Sequence, residues 1–216
     1  MRRPDFLARQ GRCPSGLLGA VVGRIMAHET AGENLAAVDV LNLAPTDRVL
    51  EVGFGHGRTL AEIIRRVPGG FVAGADASRD MLRLATSTNV AAIKRGLLVV
   101  KQAQSHALPF PDASFDKVLA VHTLYFWKHP LIELRECRRV LKDGGRIVLG
   151  FRPKTPSAEA EFPSSVYTFR TVEEVGLLLH ESGFSKAAAT EFQSGNRAIA
   201  LLTAHAVLAK ASDGRP

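Results

Sequence analysis

Three glycines at alternate positions, Gly53, Gly55 and Gly57, follow the apolar run Val49–Val52 and open a helical pattern. Glycines at such a junction let the main chain turn sharply and approach a ligand, because no side chain intervenes. Glu51 stands two residues before the first of them, where a carboxylate suits a positively charged amino-acid moiety better than a pyrophosphate. Asp76 ends the next β-rich run, where an acid is placed to bind ribose hydroxyls. Loop and acids together point to a nucleoside cofactor. A dinucleotide fingerprint, G-x-G-x-x-G, needs its third glycine at position 58, which is Arg58 here. A nicotinamide-dependent oxidoreductase is therefore the second reading. A further cluster, Val121-His-Thr-Leu-Tyr-Phe-Trp127, offers His122 as a base or orienting group and Tyr125 as a hydroxyl. The bland alternative is that His122 only touches the cofactor and the aromatics only pack. The remaining histidines show no ligand spacing, and Cys13 and Cys137 lie far apart, so no metal site is expected.

The elements that must position these residues follow from periodicity. Short β-branched runs alternate with helical patterns, which argues for βαβ units and a mostly parallel sheet. Strands are expected at 48–52, 71–75, 97–101, 115–121 and 146–150. Leu60, Ile63, Ile64 and Val67 share a helical face that Pro68-Gly69-Gly70 ends, and Ser78 is a candidate N-cap for the next helix. Pro130 suits a first helical turn, and Gly144-Gly145 is expected to stop that helix. Pro153, Pro156 and Pro163 mark an insertion over the active site, and Thr171-Val-Glu-Glu174 is a capping box. Runs around 184–192 and 198–207, joined by Gln193-Ser-Gly-Asn196, read as a C-terminal antiparallel hairpin. Residues 1–45 read as a helical cap in the same domain, 46–210 as the sheet, and 211–216 as a tail. The expected architecture is a doubly wound α/β sheet binding its ligand at the carboxyl ends of the strands.

Composition limits the partners. The chain has 216 residues, 46% hydrophobic and 23% charged, a length suited to one domain with a sizeable core. No apolar run approaches the ~20 residues needed to span a bilayer. Two cysteines make no disulfide framework, and no signal-peptide core follows the first residues, so a cytoplasmic protein is expected. The net charge of +7 is scattered, without an aromatic-interleaved basic stripe, and nucleic acid is not the expected partner. Arg2, Arg3, Arg9, Arg12 and Arg24 concentrate charge near the amino end, which keeps peripheral contact with an anionic membrane open. A monomer or homodimer is expected.

Several segments in order carry a resemblance. Glu51-Val-Gly-Phe-Gly-His-Gly57 resembles an E/D-x-G-x-G-x-G loop, Gly74-Ala-Asp-Ala-Ser78 a second-strand acid, and Leu108-Pro-Phe-Pro-Asp-Ala-Ser-Phe-Asp116 an L-P-F-x-D-x-S-F-D segment. Arg139-Val-Leu-Lys-Asp-Gly-Gly145 resembles R-V-L-K-P-G-G, with Asp143 in place of proline. From about residue 47 onward the chain thus resembles the class I, Rossmann-like S-adenosylmethionine-dependent methyltransferases, in the branch that includes quinone-biosynthesis and other small-molecule enzymes. The resemblance implies a seven-stranded sheet, S-adenosylmethionine as cofactor with S-adenosylhomocysteine as product, and a small-molecule or lipid-like acceptor. It implies that Gly53, Phe54, Gly55 and Gly57 line the methionine portion, with Glu51 near its amino group. Asp76 would bind the ribose, Ala77 and Met81 would lie near the adenine, and Gln104 with Ser105 would stand where the family commonly has an acid. His122 would touch cofactor or acceptor. Met26, His28, Tyr125 and Tyr167 are candidate acceptor contacts. A module that binds the cofactor without turnover is the third reading.

Overall fold

The computed structural model describes residues 3–16, 19, 25, 28–194 and 197–208. Its strands are β1 (Arg48–Val52), β2 (Phe71–Asp76), β3 (Leu98–Gln102), β4 (Phe115–Val121), β5 (Leu141–Phe151), β6 (Ala188–Ser194) and β7 (Arg197–His205). They form one seven-stranded sheet in the order β3-β2-β1-β4-β5-β7-β6. Pairings are parallel from β3 through β5, whereas β7 runs antiparallel to both β5 and β6. The expected hairpin is therefore present, with β7 inserted between β5 and β6.

Side chains alternate across this sheet, and both faces are covered. Leu50, Val118, Ala120, Ile147 and Leu149 belong to one buried cluster, and Val49, Leu119, Val121 and Val148 to the other. Burial on two faces is why these strands read as continuous apolar runs. The second cluster receives Leu60 and Ile63 of α3 (Arg58–Arg66) and Met81 and Ala85 of α4 (Arg79–Thr88). It also takes Ala37, Val38 and Leu41 of α2 (Ala31–Leu41). The first cluster receives Leu134, Cys137 and Val140 of α6 (Pro130–Val140), which follows the short α5 (Val90–Lys94). Of the amino-terminal cap, α1 (Asp5–Arg12) lies at the cleft described below, while α2 is a layer helix of the sheet. Among the described residues no helix is long and apolar enough to cross a membrane.

One boundary differs from expectation. Helix α6 ends at Val140 rather than at the glycine pair. Leu141 already pairs with Phe115, after which residues 142–145 bulge out before Arg146 resumes the ladder opposite Lys117. Gly144 takes a φ of 73°, and its N–H reaches the Ala206 carbonyl at 3.0 Å. The pair shapes a strand bulge because a long-range partner claims the backbone first.

Two of the sequence segments prove to be one lock. Arg139 on α6 donates to the carbonyls of Phe110 (2.9 Å) and Leu108 (3.0 Å) and pairs with Asp112 at 2.5 Å. Glu136 pairs with Arg139 and accepts the Leu108 N–H at 2.7 Å. The loop leading into β4 is thus clamped by a fork of charge-assisted bonds. Arg139→Ala is expected to cost about 2 kcal/mol, a fall in Tm of roughly 4–8 °C. Thermal melts check this, and an unchanged Tm would show the clamp to be dispensable.

Candidate functional site

A cleft of about 520 Å³ opens at the carboxyl ends of β1, β2 and β4. Parallel register sets its floor: Glu51 lies opposite Gly74, so β2 runs two residues further to Asp76. The Gly53 N–H donates to the Ala75 carbonyl at 2.7 Å, which holds the loop against β2. Gly53 has a φ of 79°, and a Cβ there would meet Thr123 Cγ2 at 2.1 Å. Gly55, at φ 53°, has nothing within 4 Å of a built Cβ and faces open space. The main chain at Gly55 is therefore open to the cleft, as a close approach to a ligand would require.

Asp76 ties the loop to the following helix. Its two oxygens accept from the N–H groups of Gly55 (2.9 Å) and Ser78 (2.8 Å). An ionised carboxylate has about four acceptor sites, so capacity remains for a diol. Burial raises the Asp76 pKa, and the two N–H groups act against that shift. Ser78 caps α4, its Oγ accepting from Met81 N at 3.2 Å. Gln102 donates to the Ala77 carbonyl at 3.1 Å.

Glu51 is 4% exposed, and its Oε2 has no hydrogen-bond partner. Burial raises its pKa well above the ordinary 4.5, Asp76 adds repulsion, and the Thr59 hydroxyl offsets a part. The folded chain therefore holds this proton more tightly than the unfolded one. Stability present below about pH 4.5 is lost as pH rises through the folded value. Glu51→Gln cannot ionise. It is expected to melt like the parent chain near pH 4 and above it near pH 8, without ligand. Identical pH dependence in the two proteins would refute the shift. An unpartnered buried carboxylate oxygen, an acid at the end of β2 and a side-chain-free loop fit the cationic amino group, ribose and methionine chain of S-adenosylmethionine.

Of the expected cofactor residues, Glu51, Gly53, Phe54, Gly55, Asp76, Ala77, Met81, Gln104, Ser105 and His122 all line the cleft. Gly57 does not. It is the N-cap of α3 at φ 81°, where a Cβ would stand 2.8 Å from both Ala85 and Asn89. Asn89 donates to its carbonyl at 3.0 Å, so Gly57 packs α3 against α4. Tyr125 and Tyr167 line an adjoining smaller cavity and not the cleft. His28 is exposed and lines neither, and Met26 lies outside the described residues.

His122 follows β4 with a φ of 58°, a left-handed conformation that costs a non-glycine residue of order 1 kcal/mol or more. Its N–H is held by the Gly150 carbonyl at 2.8 Å. Nδ1 lies 3.2 Å from Tyr125 Oη, which also accepts from the Arg152 N–H at 2.5 Å. Burial raises the Tyr125 pKa far above its usual range and pushes Tyr167 up to about 12, so both phenols keep their protons at neutral pH. His122 Nε2 is 2.5 Å from Glu33 Oε2, within ion-pair distance but not aligned as a hydrogen bond.

Sequence reasoning missed Glu33, together with Arg9, Arg12, Cys13 and Asn34 of the cleft wall. For Glu33 a signal existed: it shares a helical face with the buried Ala37, Val38 and Leu41. An acid on an apolar face needs a partner. The others carry no local signal. Arg9, Arg12 and Cys13 reach the cleft because the chain after α1 is pinned to α4, Ser78 Oγ donating to the Pro14 carbonyl (2.5 Å) and Gly16 N–H to Asp80 (2.8 Å), whereas Asn34 is carried there by α2. Among the described residues no cluster of His, Cys, Asp and Glu has metal-binding geometry.

Comparison with known proteins agrees with this geometry. A family model described as a methyltransferase domain matches residues 50–149. The chain is 32% identical over 155 residues to the uncharacterized protein MJ1123 of Methanocaldococcus jannaschii, covering 68% of this chain and 69% of that one. It is 33% identical over 118 residues to the ubiquinone/menaquinone biosynthesis C-methyltransferase UbiE of Geotalea daltonii, across 52% of this chain and 48% of the relative. The chain thus spans about half the length of that relative. The crystal structure of a SAM-dependent methyltransferase from Aquifex aeolicus superposes with a TM-score of 0.69 at 23% identity, over 86% of this chain and 97% of that one. With the β3-β2-β1-β4-β5-β7-β6 sheet in place, the chain belongs to the class I, Rossmann-like S-adenosylmethionine-dependent methyltransferases.

Proposed function

We propose that this methyltransferase transfers the methyl group of S-adenosylmethionine to a small-molecule or lipid-like acceptor. The observation that carries the cofactor half is Glu51, a buried carboxylate whose Oε2 lacks a partner inside the cleft. When bound, the cofactor supplies an electrophilic methyl group, and the protein's task is to hold the acceptor in line with it. Glu51 receives the cationic amino group, Asp76 the ribose hydroxyls, and Ala77, Met81, Gln104 and Ser105 the adenine. The wall from Arg9 to Pro14 limits access of water. His122, between the cleft and the adjoining cavity, stands where cofactor and acceptor meet.

The acceptor half is supported by the small adjoining cavity, and by the small-molecule pathway printed in the name of the Geotalea relative. Calorimetric titration with S-adenosylhomocysteine tests the first half, and no binding at millimolar ligand would sink it. Mass spectrometry of a metabolite extract incubated with the enzyme and labelled cofactor tests the second. Label appearing only in RNA or protein would overturn the proposed acceptor class.

A further inference from the structure

Beside the cleft, and sharing Thr30, His122 and Phe126 with it, lies a cavity of about 80 Å³. Its walls are aromatic. Tyr125 and Phe169 have centroids 5.1 Å apart, Phe162 and Tyr167 4.8 Å, and Tyr167 stacks on Phe169 at 6.0 Å with an 11° tilt. Segment 162–169 reaches this place because Thr168 N–H donates to the Tyr125 carbonyl at 3.1 Å. Glu33 also lines the cavity, is 2% exposed, and leaves Oε1 without a partner. Its other oxygen already faces His122.

We propose that this cavity is the acceptor subsite, and that it takes one neutral planar ring whose hydroxyl donates to Glu33 Oε1. The proposal rests on the methyltransferase reading above and narrows its acceptor. Flat aromatic walls favour a ring, since offset and edge-on contacts add to simple burial. A purely apolar guest would leave the Glu33 oxygen buried and unsatisfied, which is unfavourable. A hydroxyl donor removes that penalty. An anionic guest would meet Glu29 and Glu33, while the nearby guanidiniums of Arg3 and Arg152 are already held by Glu161 at 3.3 and 3.0 Å. Those same two cations lie over the Phe162 ring at 4.7 and 5.6 Å, which opposes an ammonium guest. A neutral phenol-type donor gives Glu33 Oε1 its missing partner and brings no charge against either the acids or the guanidiniums.

The test uses the whole chain saturated with S-adenosylhomocysteine and four probes: 4-methylphenol, toluene, benzoate and benzylamine. Saturation-transfer NMR titrations give the affinities. The phenol is expected to bind about tenfold or more tightly than the other three, the size of one hydrogen bond to a charged group. Glu33→Gln is expected to weaken the phenol about tenfold and leave toluene unchanged. Phe169→Trp, which fills the cavity, is expected to abolish both while calorimetric binding of S-adenosylhomocysteine persists. Equal affinity for phenol and toluene in the unmodified chain, or tighter binding of benzoate or benzylamine, would overturn the subsite. Because that comparison needs no variant, it decides the matter even if Glu33→Gln fails to fold. Absence of S-adenosylhomocysteine binding would instead overturn the cofactor reading beneath it.

Discussion

Asp76→Ala is expected to weaken S-adenosylhomocysteine binding about 10- to 100-fold, the range for losing one or more charge-assisted hydrogen bonds. The effect has two sources. The ribose hydroxyls lose their acceptor, and the N–H groups of Gly55 and Ser78 lose the carboxylate that holds them at 2.9 and 2.8 Å. The second source disorganises the loop before any ligand arrives. Asp76→Asn separates the two, because an amide keeps one acceptor oxygen but turns an N–H toward one of the two backbone donors. Its affinity is expected to fall between the parent and the alanine variant. Titration calorimetry reads both, and unchanged affinity in Asp76→Ala would remove this residue from the site.

Gly53→Ala is expected to destabilise the ligand-free protein by about 2–5 kcal/mol, combining a left-handed backbone cost with overpacking. That corresponds to a fall in Tm of roughly 4–20 °C. The steric part is specific, since the new Cβ would stand 2.1 Å from Thr123 Cγ2. Thr123→Ser deletes that methyl group and is expected to restore part of the loss in the double variant. The conformational part stays, because φ remains at 79°. Gly55→Ala supplies the contrast: φ is 53°, and no atom lies within 4 Å of the added Cβ. It is expected to cost only about 1–2 kcal/mol in stability, yet to impair cofactor binding by filling the space the loop leaves open. Equal melting temperatures for Gly53→Ala and the parent, or no recovery with Thr123→Ser, would refute the contact.

The two acids differ in how their surroundings were legible. Glu51 and Asp76 stand out in the sequence because one nearly ends a strand before the glycine turn and the other ends the next strand. Their interaction is visible only through register, which sets Glu51 opposite Gly74 and brings Asp76 to the loop main chain. Gly57 looked like its two neighbours, but packing against Ala85 and Asn89 gives it a different task. Tyr125 was readable as a candidate acceptor contact, but only the tertiary structure sets its ring against Tyr167 and Phe169.

Strand and helix identity, the glycine turn, the capping box and the carboxyl-end location of the site were readable from the chain because each depends on neighbours within a few residues. Period-2 and period-3.6 patterns, φ freedom and caps are local properties of the backbone. Only the tertiary structure decided that Glu33, on α2, faces His122, and that Arg9 to Pro14 close one wall of the cleft. It also decided that Arg139 locks the loop at 108–112, and that β5 begins at Leu141. Those contacts join residues far apart in the chain. Which distant partner a side chain meets is settled by sheet order and layer packing, once the core has closed.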